Sequence, residues 1–412
     1  MCPNNRETDQ SSPIRQSAIG NRESDFNEAY QSLLTWCRQH SFAGHDPFDA
    51  LNSSIFQKTP LAKSRNARLA WTQLVKRSPS NLRPIARVPR QRNAKGIALF
   101  ALALLANYRH VKTVEADDEA RAMLDTLLSM KCSDYSGAAW GYNFDWQSRN
   151  FFAPRGTPTI VPTAFAARAL VEAAKTLHDN QYLETAHSAC DFIRKDLARS
   201  YETDSELCFS YSIDSNTQIH NANLLAAEVL AEVGSLTHDE QLLRLAERAT
   251  RFVINRQQQD GSWTYGMDQK QSWVDNFHTA YVLYSLSRII KACQPGKEFQ
   301  ASLELGYTYW KSNFFLEDGW PKYYNDDPYP ADAHASASAI ITFLELSNYD
   351  ADAVVMARNV ADWASTNLRD KRGFFFYQRR RFYTVKTPYM RWSQAWMLYA
   401  LARLLEKNVS GW

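Results

Sequence analysis

Three histidines, His220, His278 and His334, stand at the openings of long apolar segments, and Asp275 and Asp332 lie three and two residues ahead of the last two. Imidazole takes up and releases protons near neutral pH, and a carboxylate beside it fixes which ring nitrogen carries the proton. His220, His278, His334 and Asp275 are therefore candidate catalytic residues, with Tyr265 as a further candidate base. Aligned by the starts of the apolar segments, Pro162, His220, His278, His334 and Trp392 fall at one register position, and Gln218, Asn276 and Asp332 share the position two residues earlier. The plainer reading is that the histidines pack between neighbouring helices and that Asp275 and Asp332 are helix N-caps. Three histidines with an aspartate could also hold a metal, but no His-x-x-x-His pair is present, so neither metal nor cofactor is expected.

A second group is Trp140, Tyr142, Asp145, Trp146 and Arg149, in the longest loop. Sugars stack their C–H faces on indole rings and hydrogen-bond through their hydroxyls to carboxylates and guanidinium groups, so this mixture suits a carbohydrate. The candidate substrate-binding set is Tyr142, Asp145, Trp146, Arg149, Asn276, Asp332, Arg391 and Trp392. Trp140, Trp263 and Trp320 recur within loop repeats and are expected to be structural. From Lys58 to Lys95 there are eleven Lys or Arg and no Asp or Glu. Such a stretch is usually a solvated face, but with Trp71 and Leu74 it could rest on anionic lipid. Arg379, Arg380 and Arg381 form a second basic knot.

The elements that must position these residues recur in pairs. Charge-poor helices begin near Lys95, Pro162, His220, His278, His334 and Trp392, the last five spaced 58, 58, 56 and 58 residues apart. Amphipathic helices precede them at about 62–77, 118–131, 180–198, 238–256, 298–314 and 351–367. Between the two lie loops in which an aromatic precedes a tyrosine: SGAAWGY, ELCFSY, DGSWTY, DGWPKY and RGFFFY. A uniform period of this length marks a structural repeat. Six buried helices, each with a water-facing partner, predict an all-α (α/α)6 toroid of six helical hairpins in a single domain over 26–412, with a disordered N-terminal tail over 1–25. All inner N-termini would then converge on one mouth, a setting suited to anions.

Composition narrows the function classes. The 412 residues are 45% hydrophobic and 13% aromatic, which supports a large core, and the 14 glycines are few for an all-β chain. The net charge of +3 gives no ground for a nucleic-acid partner. Six scattered cysteines without a Cys-x-x-Cys pair indicate no disulfide framework. Neither a signal peptide nor a membrane span is visible, so a cytoplasmic location is expected, with peripheral contact at the inner membrane through 58–95 as a variant.

The segment QQQDGSW, Gln257 to Trp263, fits the Q-x-x-x-G-x-W turn of terpene cyclases. Over about 60–407 the chain resembles the terpenoid-cyclase and protein-prenyltransferase toroids and the six-hairpin glycosidases, epimerases and lyases. HDPFDALNSSIFQ, WGYNFDWQSR and DNFHTAYVL resemble bacterial exopolysaccharide-biosynthesis proteins of the VpsJ type. The Asp-x-Asp-Asp and Asp-Asp-x-x-Asp motifs of isoprenoid enzymes are absent, with Pro330 where the acid following Asp326 and Asp327 should stand. No convincing equivalent of the prenyltransferase zinc ligands appears either.

The combined expectation is a carbohydrate-active enzyme of exopolysaccharide or capsule biosynthesis acting on an acidic oligosaccharide or lipid-linked glycan. Proton abstraction beside a carboxylate, as in an epimerase or lyase, is the leading chemistry, with Arg149 or Arg391 neutralising that carboxylate. Hydrolysis by Asp145 and Asp275 is a variant. The alternatives are an isoprenoid enzyme, favoured by the aromatic content, and a non-catalytic module that binds glycan or a synthase.

Overall fold

The computed structural model describes residues 13–148 and 152–409. Six inner helices close a ring: α3 (Ala94–Val111), α5 (Ile160–Leu177), α7 (His220–Thr237), α9 (Asn276–Cys293), α11 (Ala333–Glu345) and α13 (Trp396–Val409), with α13 packed back against α3. They are apolar around their circumference, and in α3 every residue from Ala94 to Ala106 is buried. Their partners are α4 (Val114–Ser129), α6 (Asn180–Lys195), α8 (Glu240–Ile254), α10 (Lys297–Phe314) and α12 (Ala353–Leu368). These are one-faced: α8 buries Leu242, Ala246, Ala249, Phe252 and Val253, at the three-and-four spacing of a helix stripe.

The sixth outer place is held by α1 (Pro13–Gln39), which packs on α13, and not by the segment near 62–77. The chain's first and last helices thus form one hairpin. Helix α1 runs from Pro13 to Gln39, and its first buried side chain among the described ones is Phe26, where the folded body was expected to begin. The rest of the expected tail, 1–12, lies outside the described residues. Segment 65–77 forms α2 (Arg65–Arg77), which sits on the 3-10 turns of residues 49–63 and on the edge of β1 (Trp146–Gln147), over the mouth.

The loop repeats clasp the ring. The N–H groups that open α5, α7, α9 and α11, on Ile160, His220, Asn276 and Ala333, donate to the carbonyls of Tyr211, Tyr265, Tyr323 and Tyr377 at 3.1, 3.2, 2.9 and 3.2 Å. Each acceptor is the tyrosine of the next aromatic loop, so at these four junctions a repeat satisfies an orphan donor of the one before it. At the last inner position Met390 N–H donates to the His45 carbonyl at 3.0 Å. Trp140 and Trp263 are wedged between hairpins as expected, their indole N–H groups donating to Leu127 and Val253 carbonyls at 2.9 and 3.0 Å.

The loop glycines do the same on the outside. Gly261, Gly319 and Gly373 have φ of +93°, +83° and +98°. A Cβ on them would lie 2.5, 2.5 and 2.7 Å from the carbonyl oxygens of Leu305, Asn359 and Ser32, on α10, α12 and α1. Gly261→Ala is expected to lower stability by about 1–3 kcal/mol in urea denaturation, through left-handed strain plus the backbone clash. Gly156→Ala, at φ +85° with nothing within 4 Å of the added Cβ, should incur the strain alone and lose less.

Below the mouth the hollow is filled by ion pairs. Glu228 of α7 takes a bidentate pair from Arg168 of α5 at 2.7 and 2.6 Å and a hydrogen bond from the Ser285 hydroxyl of α9 at 2.6 Å. Arg288 of α9 reaches Glu172 at 2.9 Å and Glu232 at 2.5 Å. What remains open lies at the end where the inner helices begin.

Candidate active site

Counting from the capping residues shows how the ring aims its side chains. The caps are Asn93, Thr159, Ile219, Asp275, Asp332 and Tyr389, the last opening a turn of π-helix, Met390–Ala395, ahead of α13. Two residues after each cap stand Lys95, Val161, Asn221, Phe277, His334 and Arg391, and all six line one axial cavity of about 300 Å³. That volume lies at the lower end of the range that holds small-molecule ligands, roughly 300–1,000 Å³.

The three histidines therefore do not share a register. His220, His334 and His278 are first, second and third after their caps, and each step along a helix turns the side chain by about 100°. His220 is rotated out of the cavity: it is 1% exposed, its Nδ1 meets the Thr264 carbonyl at 2.8 Å, and burial pushes its pKa down to about 4. Asn276, also first after its cap, braces the outer layer, accepting from Trp310 Nε1 and donating to the Lys322 carbonyl, both at 2.9 Å.

His278 reaches the cavity with its side chain 21% exposed. Asp275 binds it twice: Oδ1 accepts the His278 backbone N–H at 2.9 Å, and Oδ2 meets the ring Nδ1 at 2.6 Å. Oδ2 also accepts the Trp273 indole N–H at 2.9 Å, and Asp275 itself is 2% exposed. The carboxylate is thus both cap and imidazole partner, and it leaves Nε2 as the ring nitrogen free to act. Trp273 and His278 are bridged by Tyr265, whose ring centroid lies 4.7 Å from the indole and 4.4 Å from the imidazole. Burial pushes the Tyr265 phenol, the further candidate base, well above its ordinary range and so favours its protonated form.

Beside this dyad, one turn further along α9, the Tyr281 hydroxyl shares a hydrogen bond of 2.6 Å with His334 Nε2 of the neighbouring helix α11, and Lys95 Nζ donates to the same hydroxyl at 3.1 Å. The His334 ring stacks on Trp396 at 4.7 Å and meets Trp392 edge-on at 4.3 Å. Burial and the nearby cations hold its pKa well below the usual value, so it is neutral, and its buried Nδ1 has no partner among the described residues.

The substrate-binding candidates divide. Tyr142, Trp146, Arg391 and Trp392 line the cavity, and Trp146 lies 5.9 Å from Tyr142 and 5.0 Å from Tyr211. Arg391 is cancelled by Asp46, which takes its guanidinium in two hydrogen bonds of 2.5 and 2.8 Å. Asp145 does not line the cavity; its carboxylate accepts the Arg155 backbone N–H at 2.8 Å. Asp332 is fully buried, caps Ala335 at 2.7 Å, and is raised to about 6 by burial. Arg149 lies outside the described residues. No Asp or Glu among the described residues lines the cavity.

Sequence reasoning missed Lys95 and Lys76. The stretch 58–95 is not one solvated face: Arg83 is fully buried against Asp49 at 2.5 Å, and Trp71 turns inward onto Phe56 at 5.3 Å. Leu74 remains 58% exposed. Among the described residues no helix is long and apolar enough to cross a membrane, and no three His, Cys, Asp or Glu side chains gather as a metal-ligand set.

No protein-family model matches the chain, and no curated protein matches it in sequence. Solved structures share its fold. A cellobiose 2-epimerase from Bacillus thermoamylovorans superposes with a TM-score of 0.61 at 13% identity, covering 78% of this chain and 90% of its own. A D-mannose isomerase gives 0.58 at 13%, covering 77% and 87%, and an unsaturated glucuronyl hydrolase specific for heparin gives 0.56 at 14%, covering 76% and 86%. The fold is therefore the six-hairpin (α/α) toroid of enzymes that act on sugars.

Proposed function

We propose that this chain is a sugar isomerase or epimerase that removes a proton from a carbon next to a carbonyl group, with His278 as the base. The carrying observation is the Asp275–His278 pair at 2.6 Å facing an aromatic cavity whose described lining holds no carboxylate. His278 Nε2 takes the proton, while Asp275 holds Nδ1–H and stabilises the imidazolium that forms. Neutral His334, on the neighbouring helix α11 and tied to Tyr281, lines the same cavity beside the dyad. Trp146, Trp273 and Trp392 offer faces for a sugar ring.

Hydrolysis is disfavoured because glycosidases need two carboxyl groups flanking one bond, and Asp145 and Asp275 do not both face the cavity. The isoprenoid reading retains only the aromatic lining in its favour. The epimerase and isomerase among the structures of this fold support sugar proton transfer by analogy. A role with exopolysaccharide or lipid-linked precursors in the cytoplasm rests on the sequence motifs alone.

The test is incubation of the purified protein in deuterated water with reducing disaccharides, aldoses and uronate-terminated oligosaccharides, followed by mass spectrometry. Solvent deuterium should enter a carbon-bound position. Cleavage without deuterium gain would replace this reading with hydrolysis, and binding without either would make the chain a glycan-binding module.

A further inference from the structure

The positive groups around the cavity are unequally balanced. Arg391 is neutralised by Asp46, and Arg168, under the cavity floor, by Glu228. Among the described residues Lys95 has no such partner: it is 3% exposed, its amine donates to the Tyr281 hydroxyl, and it lies 4.3 Å from the Phe165 ring centroid and 5.4 Å from that of Trp396. Lys76, on α2 at the mouth, likewise lies over rings, 4.3 Å from Phe48 and 5.7 Å from Trp392, without an ion pair among the described residues. A buried ammonium lacking a counter-ion is costly. Lys95, buried in a cavity whose described lining holds no carboxylate, with half-buried Lys76 at its mouth, calls for a ligand that brings the negative charge.

We infer that the cavity takes a sugar bearing an anionic group, a carboxylate or a phosphate, which docks on the Lys95 amine at the inner end while Lys76 adds attraction at the mouth. This rests on the sugar-converting reading of the same cavity and names its substrate class. A carboxylate on Lys95 would be screened as charge spreads onto it when His278 removes the neighbouring proton. The charged groups facing Lys95 are Arg391 and Arg168, which with burial push its pKa well down, and Asp46, which opposes them. Lys76 is lowered to about 8 by burial, with Arg77 and Arg380 acting in the same sense and Asp332 and Asp46 against. A bound anion reverses these shifts, so binding takes up protons.

Calorimetric titration with a glucuronate-terminated disaccharide, glucose 6-phosphate, their neutral parent sugars and inorganic phosphate tests this. One anionic sugar should bind about ten- to a hundredfold tighter than its neutral parent, the scale of one charge-assisted hydrogen bond. Which one does so tells carboxylate from phosphate. The preference should vanish in Lys95→Met and shrink in Lys76→Gln. At pH 8 the binding heat of the unaltered protein should depend on the ionisation enthalpy of the buffer in the sense of proton uptake, a reading that needs no variant to fold. Equal affinity for neutral and anionic sugars, inorganic phosphate matching the sugars, a preference that survives Lys95→Met, or binding without proton uptake would each overturn the inference. Deuterium exchange into a neutral sugar without anionic preference would sink this inference alone; anionic preference without exchange would sink the catalytic reading alone.

Discussion

Asp275→Asn is expected to slow entry of solvent deuterium into substrate by about 10³–10⁴-fold while leaving the fold nearly unchanged, a loss comparable to that of turning a catalytic imidazole into the wrong tautomer. Asparagine is as good an N-cap as aspartate, so the His278 backbone N–H keeps its acceptor. The other carboxylate oxygen cannot be replaced. It accepts from both His278 Nδ1–H and the Trp273 indole N–H, and an amide nitrogen there would set donor against donor. Imidazole can answer only by moving its proton to Nε2, the atom that has to be empty to act as base. His278→Ala, which removes the base itself, should reduce exchange at least as much as Asp275→Asn, and Trp273→Phe by less because the imidazole contact survives. If deuterium enters at the parental rate in Asp275→Asn, the dyad is only a capping device.

The contrast between His278 and His220 shows where the sequence was legible and where it was not. Apolar periodicity located the inner helices, because burial on all sides leaves a composition that survives without any structure in hand. The aromatic loops were also visible, since four of them clasp the neighbouring repeat through the same tyrosine carbonyl. Angular position was not visible. A spacing of 56 or 58 residues constrains the repeat, yet one residue of slip at a cap rotates a side chain by about 100°, and Ile219, Asp275 and Asp332 are the caps that decide it.

Lys95 escaped notice for a related reason. A lysine opening a helix within a basic stretch reads as surface, and only closure of α3 against α13 turns it inward. The sixth hairpin failed differently: α1 and α13 meet from opposite ends of the chain, and no local pattern announces such a contact. Gly373, whose φ of +98° lets it sit against Ser32 of α1, was the available signal, since its loop repeats those of Gly261 and Gly319.

The second large effect concerns the charged plug beneath the cavity. Glu228→Leu should destabilise the protein by about 3–5 kcal/mol in urea denaturation, because Arg168, 5% exposed, would be left buried without its carboxylate and Arg288 would lose one of three acidic neighbours. The charges themselves are not required for the ring to close. Arg168→Met combined with Glu228→Leu removes both members and keeps their bulk, so it should restore most of the loss, since a buried pair seldom outperforms apolar packing of equal volume. The two variants should part company at the cavity. Arg168 and Lys95 share the Phe165 ring, at 4.7 and 4.3 Å, so removing only Glu228 adds an unbalanced positive field beneath Lys95, whereas the double variant removes one of the guanidinium groups that depress it. Proton uptake on binding an anionic sugar at pH 8 should accordingly be smaller in the double variant than in the parent. Unchanged uptake together with restored stability would confine the plug to holding the toroid closed, with no part in setting the charge of the cavity floor.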